Sequence, residues 1–297
     1  MKLFQRKLNR DSVLCYVIMA ILAVACILPL WLTVATSLTS EGYVQQHGYT
    51  LFPHEASLYT YRYLLNSKGR ILRRAFLRSL EAVLLGTASS VAVTTCFAYA
   101  VTQKTRDFRL SRSLSFMAWF TTIFGGGVLP WYILCTQYYG LKDNIFALFV
   151  PSMFSVWNMF IIRGSFREVP GELIESAKLD GASEFLIFRK IAIPLARSGI
   201  VTVCLFTVLG FWNDAYLSLW LIRDTDYYTV QRMLYDMLAN ISYLLSGQGS
   251  QALQFIVTPT NTAKMAVTVM SLLPVVAFYP FGLKYFVKGI NLGGVKG

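Results

Sequence analysis

Val13-Leu-Cys-Tyr-Val-Ile-Met-Ala-Ile-Leu-Ala-Val-Ala-Cys-Ile-Leu-Pro-Leu-Trp-Leu32 runs for 20 residues without a charge. A bilayer core about 30 Å thick is crossed by a helix of roughly 20 residues, rising about 1.5 Å each. The stretch therefore reads as a membrane-spanning helix. The apolar core of a cleavable leader is about 7–15 residues long and ends at a small-residue cleavage site. This run is longer, so an uncleaved first span is expected over about residues 13–37.

Outward from it, five more charge-free stretches follow: Ala82 to Gln103, Ser113 to Leu141, Asn144 to Ile162, Ser198 to Asn213 (apolar again to Ile222) and Met265 to Leu283. The expected fold is an all-α integral membrane protein of six transmembrane helices. The later spans are expected at about 76–103, 113–138, 144–164, 196–222 and 264–284. Residues 1–75 would form the first helix with an outer loop, 76–290 the core, 170–194 an elbow within it, and 291–297 a tail. Pro29, Pro130, Pro151, Pro274 and Pro280 sit within or at the edges of spans, where neighbouring helices can satisfy the freed carbonyls.

Composition agrees with this reading. Hydrophobic residues make up 55% and charged residues 14%, against about 25% charged in a soluble domain. Mean hydropathy is +0.51. The net charge of +12 does not signal nucleic acid, because Lys and Arg lie between apolar runs and no nucleic-acid-binding signature surrounds them. Cytoplasmic loops collect Lys and Arg, and placing both termini inside puts 17 of the 27 there. Lys68, Arg70, Arg73, Arg74 and Arg78 run against that bias. They read either as an attractive field for an anionic oligosaccharide or as an amphipathic helix on anionic headgroups.

Catalytic signals are missing from the sequence. Cys15, Cys26, Cys96, Cys135 and Cys204 lie inside apolar runs, unpaired in spacing, and read as small buried hydrophobes. His47 and His54 share one loop with no further ligand type at useful spacing, so no metal site is expected. HExxH and GxSxG are absent, and Gly125, Gly126 and Gly127 lack the lysine of a phosphate loop. We expect neither enzymatic activity nor a cofactor in this chain. A solute channel or secondary transporter is a competing reading, against which stands the lack of an internal repeat.

The segment from Pro170 to Pro194 is the most informative. Pro170 can open a helix, with Glu172 in its first turn. Gly181 can end it in a left-handed conformation, and Ser183 can cap a second short helix. Ile174, Ala177, Gly181, Phe185 and Phe188 fall on a helical stripe. From periodicity alone the segment is either a helical elbow with a partner or a surface connection.

Glu175-Ser176-Ala177, three residues, Gly181, nine residues, Ile191-Ala192-Ile193-Pro194 resembles the "EAA" loop of permease subunits of binding-protein-dependent (type I) ABC importers. That pattern reads E-A-A-x3-G-x9-I-x-L-P; Ser176 and Ile193 are mild departures. Phe52 to Leu65, Arg78-Ser79-Leu80 and Gly210-Phe-Trp-Asn-Asp214 resemble the carbohydrate branch, with Arg78 where that branch usually has Asn. The terminus Gly293-Gly294-Val295-Lys296-Gly297 resembles the tail of its maltose-type "G" half.

The resemblance implies a MetI-like permease fold in a bacterial inner membrane. It implies a second, different permease half, two copies of an ATPase subunit that hold the ATP and magnesium, and an extracytoplasmic solute-binding protein. In it, Glu172, Glu175, Ser176, Ala177, Asp180, Gly181, Ile191 and Pro194 would couple to the ATPase. Gly293, Gly294 and Lys296 would reach the ATPase dimer, and Gly247, Gln248 and Gly249 the binding protein. A permease for a peptide or phosphonate would share the elbow; the tail favours a sugar.

Sugars present apolar faces and hydroxyl rims, which suit aromatic rings beside amides and carboxylates. Trp131, Tyr132, Trp157, Asn158, Trp212, Asn213, Asp214 and Tyr216 have that character. Trp and Tyr also anchor helices at membrane interfaces, so both readings stay open for each. A carboxylate at mid-bilayer costs about 2.5–3.5 kcal/mol, so Asp214 either faces protein or water or lies at the outer interface.

Overall fold

The computed structural model describes residues 10–67, 69–103, 108–245 and 261–293. Their regular structure is helical throughout, with no strand among them. The chain divides into two compact units, Met1–Gly69 with Asp236–Leu273, and Arg70–Tyr235 with Pro274–Gly297.

The first unit opens with α1, Arg10–Ser37. Every residue of α1 from Val13 to Trp31 is exposed, apolar side chains included. Such a surface suits hydrocarbon or another apolar helix rather than water. Only its last turn is packed: Ala35, Thr36 and Ser37 are buried, and the Tyr61 hydroxyl donates to Ser37 Oγ at 2.9 Å. Two short helices follow, α2 (Glu41–His47) and α3 (Tyr59–Ser67).

The Glu41 carboxylate accepts the backbone N–H groups of Asn261 (3.1 Å) and Thr262 (3.0 Å) and the Thr262 hydroxyl (2.6 Å). These groups begin the last helix, whose first-turn N–H groups have no partner within it. A negative charge there also complements the helix dipole. Burial alone would raise the Glu41 carboxyl; the bonds from Thr262 and Asn261 outweigh it and hold it below the usual carboxylate range.

The second unit is built around α4, Gly69–Thr102. Ala75, Ser79, Ala82, Gly86, Ser90, Thr94 and Ala98 are buried along it at intervals of three and four, a stripe of small residues. Small side chains let backbones approach closely, the usual device where lipid removes the hydrophobic drive between helices. After it in the chain come α5 (Ser111–Ile123), α6 (Val128–Ile133, extended by a π turn through Tyr138), α7 (Val156–Arg167), α8 (Gly171–Leu179), α9 (Glu184–Ile187), α10 (Ile193–Leu195), α11 (Arg197–Asn213) and α12 (Tyr216–Leu221), then α13 (Val230–Leu245) and α14 (Asn261–Gly293), whose residues 236–245 and 261–273 belong to the first unit.

Met159, Ile162 and Phe166 of α7 meet Ala98 and Val101 of α4 and Val203 of α11 in one core. Gly199 faces α7 so closely that a Cβ there would lie 2.2 Å from Ser165 Oγ. Gly86 lies under the Phe211 ring, 2.7 Å from where its own Cβ would be.

Two of the expected spans are long, apolar single helices, Val13–Ser37 and Gly69–Thr102. Three others are broken. The stretch expected as one helix over 113–138 turns by 116° between Ile123 and Val128. Gly125 and Gly126 bring no side chain to hold a helix together, and Gly127 adopts φ +85°. Pro130 falls in the first turn of α6, where a missing N–H costs nothing. The stretch over 144–164 begins as two 3-10 turns before α7, with a bend of 56°. The span over 196–222 is interrupted at Asp214–Ala215, and it meets the preceding helical segment Glu184–Leu195 at 78°. Helix α14 runs beyond the expected 264–284 at both ends. The expectation that all five cysteines are buried also fails: Cys15, Cys26 and Cys96 lie on exposed helix surfaces, and Cys135 is the buried one.

Gly199→Val is expected to drive its side chain into Ser165, part α7 from α11 and sharply reduce the yield of monodisperse protein in detergent. Gly164→Ala, where an added Cβ meets nothing within 4 Å, should leave it unchanged. Because the Glu41 carboxyl is depressed, its contribution exists above the unfolded value of about 4.3 and fades as pH falls through the folded value. Glu41→Gln should therefore lower thermal stability at pH 7 by about 1 kcal/mol, with the gap to wild type closing below about pH 4. A gap constant from pH 7 to pH 3.5 would contradict the capping account.

Candidate functional site

The segment singled out by sequence forms two short helices joined by a tight turn. Pro170 stands immediately before α8, and the Leu173 N–H returns to its carbonyl at 3.2 Å. Glu172 lies in the first turn, where the N–H dipoles favour a carboxylate. At the other end, Ala182 N–H bonds to Ala177 O at 2.9 Å and Gly181 N–H to Lys178 O at 3.1 Å. With Gly181 at φ +77°, these two bonds make a Schellman termination. Ser183 is extended and its Oγ accepts the Leu186 N–H at 3.4 Å, starting α9. The chain then passes through a π turn, Phe188–Ala192, and α10 into α11.

Glu184 straps the turn to its surroundings. Its carboxylate pairs with Lys178 at 2.8 Å and accepts the Tyr99 hydroxyl, near the end of α4, at 3.0 Å. The pair with Lys178 is largely exposed and so worth under about 1 kcal/mol. The backbone geometry at Gly181 fixes the angle between the two helices.

The expected stripe divides at that turn. Ile174 and Ala177 are half-buried, and Phe188 packs on Tyr99 with ring centroids 4.8 Å apart. Phe185 instead points outward and is 69% exposed, because the left-handed residue at Gly181 redirects the chain. Leu173, Leu179 (90% exposed) and Leu186 are exposed with it. Large apolar side chains in this number on a short, otherwise polar elbow mark an interaction surface, for protein or for membrane. Glu175, Ser176, Asp180, Gly181 and Pro194 lie on the exposed surface, whereas Ile191 is half-buried. Between α8 and the ends of α4 and α7 lies a cleft of about 560 Å³, bordered by Tyr99, Gln103, Arg167, Ile174 and Glu175.

The aromatic candidates separate into two groups. Trp131 of α6 and Tyr216 of α12 stand 5.6 Å apart, Tyr216 and Trp220 6.0 Å, and Trp220 and Tyr132 6.2 Å. These four rings form a continuous ladder. Sequence reasoning missed Trp220, although its position four residues after Tyr216 puts both on one helix face. Trp212, by contrast, is buried against Phe76, Val83 and Phe149. Trp157 is 78% exposed, outside the ladder. Asn158 Nδ2 donates to Thr207 Oγ1 at 3.4 Å, joining α7 to α11. Asn213 is exposed.

Asp214 has a definite local task. Its carboxylate accepts the Leu217 N–H at 2.9 Å and so starts α12 after the break. The basic cluster is likewise occupied in part. Arg74 pairs with Asp226, and Arg78 donates to the Asp226 carbonyl at 3.1 Å, pairs with Glu81 at 2.6 Å and lies over the Tyr227 ring at 4.7 Å. Both arginines thereby hold the 3-10 turn Thr225–Tyr227 against α4. Neither sequence-based account of the cluster foresaw this; Arg70 and Arg73 remain exposed. Gly293 closes α14, while Gly294, Lys296, Gly247, Gln248, Gly249 and Lys68 lie outside the described residues.

A family model described as "Binding-protein-dependent transport system inner membrane component" matches residues 63–292. The polygalacturonan/rhamnogalacturonan transport system permease protein YtcP of Bacillus subtilis is 32% identical over 286 residues, covering 96% of this chain and 98% of that protein. Protein LplC of the same organism is 34% identical over 275 residues, covering 91% and 90%. A chain in the crystal structure of a bacterial ABC transporter involved in the import of the acidic polysaccharide alginate matches with a TM-score of 0.80. It is 23% identical, and the match covers 96% of this chain and 100% of that one. That likeness establishes the fold.

If Asp214 acts through the helix start, Asp214→Asn, which keeps an acceptor, should retain wild-type thermal stability. Asp214→Ala should lose about 1 kcal/mol. Loss of solute uptake in the Asn variant at unchanged stability would instead assign the carboxylate to the solute.

Proposed function

The chain belongs to the binding-protein-dependent transport system inner membrane component family, and from that premise we propose that it forms half of the translocation pathway of an ATP-driven importer of oligosaccharides, acidic ones among them. The observation that carries the mechanism is the elbow: a rigid, Schellman-terminated helix pair with Leu173, Leu179, Phe185 and Leu186 presented outward.

Six spans place both termini in the cytoplasm of a bacterium, in keeping with the 17 of 27 Lys and Arg on that side. A second, different permease half completes the pathway. Two ATPase subunits bind ATP and magnesium, and one of them receives this elbow, with Glu172, Glu175, Ser176, Ala177, Asp180 and Gly181 at or near the contact and Ile191 and Pro194 behind it. An extracytoplasmic binding protein delivers the solute and meets the loop around Gly247, Gln248 and Gly249; Gly293, Gly294 and Lys296 reach toward the ATPase dimer. Closure of that dimer on ATP draws the elbows together and turns the pathway outward. The chain itself performs no hydrolysis. Support for the solute class comes from the relatives, named for polygalacturonan, rhamnogalacturonan and alginate.

A lever needs stiffness and a close fit. Gly181 supplies a left-handed backbone that only Gly, and less well Asn, adopts at low cost. A Cβ at Gly181 meets nothing within 4 Å in this chain, so crowding at that point would come from a partner. Gly181→Trp should insert, co-purify with its partner permease and lose at least tenfold in uptake. Gly181→Asn separates backbone from bulk and should keep most of it. Normal uptake by the Trp variant would contradict the coupling role.

A further inference from the structure

Past the outer end of the aromatic ladder the chain folds into a cleft of about 370 Å³, bordered by Tyr132, Trp220, Arg223, Tyr228 and Arg232. Two guanidiniums and three aromatic rings around one concavity are an unusual lining for a segment that follows an apolar span. The guanidinium of Arg232 is fixed in orientation. It lies over the Tyr228 ring at 5.0 Å and donates to the Ser218 carbonyl at 3.2 Å. Arg223 is set in place through its backbone: the Asp143 carboxylate accepts its N–H and, at 2.9 Å, that of Asp224. These two N–H bonds hold the Asp143 carboxyl below its ordinary range. Two further acids in this stretch are engaged: Asp224 accepts the Asp226 N–H at 3.0 Å, and Asp226 pairs with Arg74.

We propose that this cleft binds a uronic-acid residue of the solute, the Arg223 and Arg232 guanidiniums taking its carboxylate and the Trp220 and Tyr132 rings its apolar sugar face. The assignment rests on the oligosaccharide-importer reading and deepens it by naming the charged sugar unit that this chain would touch. Guanidinium forks match a carboxylate in two parallel hydrogen bonds, which a lysine cannot reproduce. A sugar ring carries its carboxylate at the edge and C–H groups on its faces, so a recognition site needs a cationic rim beside an aromatic wall. The cleft has both. The Trp131–Tyr216–Trp220–Tyr132 ladder continues the aromatic wall along α6 and α12, offering successive faces to successive units of a chain. The binding role thus moves from the 70–78 arginines, of which Arg74 and Arg78 are committed to the 3-10 turn, to Arg223 and Arg232. A phospholipid headgroup presents a comparable anion, and the test separates the two.

The test uses the assembled transporter with its binding protein in liposomes of phosphatidylcholine alone. Trigalacturonate and its full methyl ester, equal in length, the first anionic and the second neutral, are the probes. Arg232→Gln and Arg223→Gln should each lower ATP-dependent uptake of trigalacturonate at least tenfold while changing that of the ester less than twofold. Arg232→Lys should restore only part of the loss, and Trp220→Ala should lower both. Equal losses for the acid and its ester in the arginine variants would make the arginines structural and overturn the assignment, as would unchanged uptake of both. An effect of the arginine variants seen only after phosphatidylglycerol is added would assign the cleft to lipid. A wild-type transporter that imports the ester but not the acid overturns this site alone. One that imports neither but takes up a neutral oligosaccharide overturns this site and leaves the importer reading standing; one that takes up no sugar overturns both.

Discussion

Close approach of backbones along α4 is the constraint on which the second unit depends. Inside a bilayer, lipid tails are as apolar as leucine, and helices associate through van der Waals fit and hydrogen bonds rather than escape from water. The small residues from Ala75 to Ala98 give α4 a flat face. Phe211 of α11 settles on Gly86, and α4 contributes Ala82, Val83, Ala98 and Val101 to three separate packed clusters. At the α7–α11 contact, Gly199 repeats the device against Ser165. Because α7 and α11 flank the elbow in sequence, their tight pairing gives the elbow a firm base.

The elbow is built out from that base. The Schellman turn at Gly181 sets the angle of α8 to α9, the Glu184 strap reaches Tyr99 on α4, and the 78° bend before Arg197 turns the chain from the elbow into α11. On the proposed coupling role, a push on the exposed apolar side chains of the elbow would pass into packed helices rather than be absorbed by a loose connection. At the far end of α11, the break at Asp214 lets α12 present Tyr216 and Trp220 beside α6. The interruption of the two apolar stretches, at Gly125–Gly127 and at Asp214, is what brings the rings of the ladder into register.

Much of this was legible in the residues, for particular reasons. Charge-free runs mark spans because length and apolar character alone decide insertion. The elbow could be read nearly to the residue because Pro170, Gly181 and Ser183 act through local backbone chemistry that needs no tertiary context. The breaks within spans were not legible: apolar composition runs unchanged through Phe124 and Ile145, and whether a Gly or Pro bends a helix depends on what packs beside it. Nor could sequence say that Trp212 turns into the core while Trp131 and Tyr216 meet, since side-chain direction across a broken helix follows the break. The arginines in the first turns of α4 read from sequence as a field for an anionic solute or as a face on anionic headgroups, and it took the three-dimensional position of Asp226 and Tyr227 to show that two of them are bound.

If this chain works as one half of an ATP-powered pathway, its partners should stay with it. The most direct measurement is purification of the tagged protein from its own membranes in mild detergent, with identification and counting of the chains that accompany it. A second, different multi-span permease and two copies of an ATPase per tagged chain are expected, with ATP hydrolysis stimulated by a solute-loaded binding protein. A stable chain, alone or self-associated, with no ATPase at any stage of purification would contradict it.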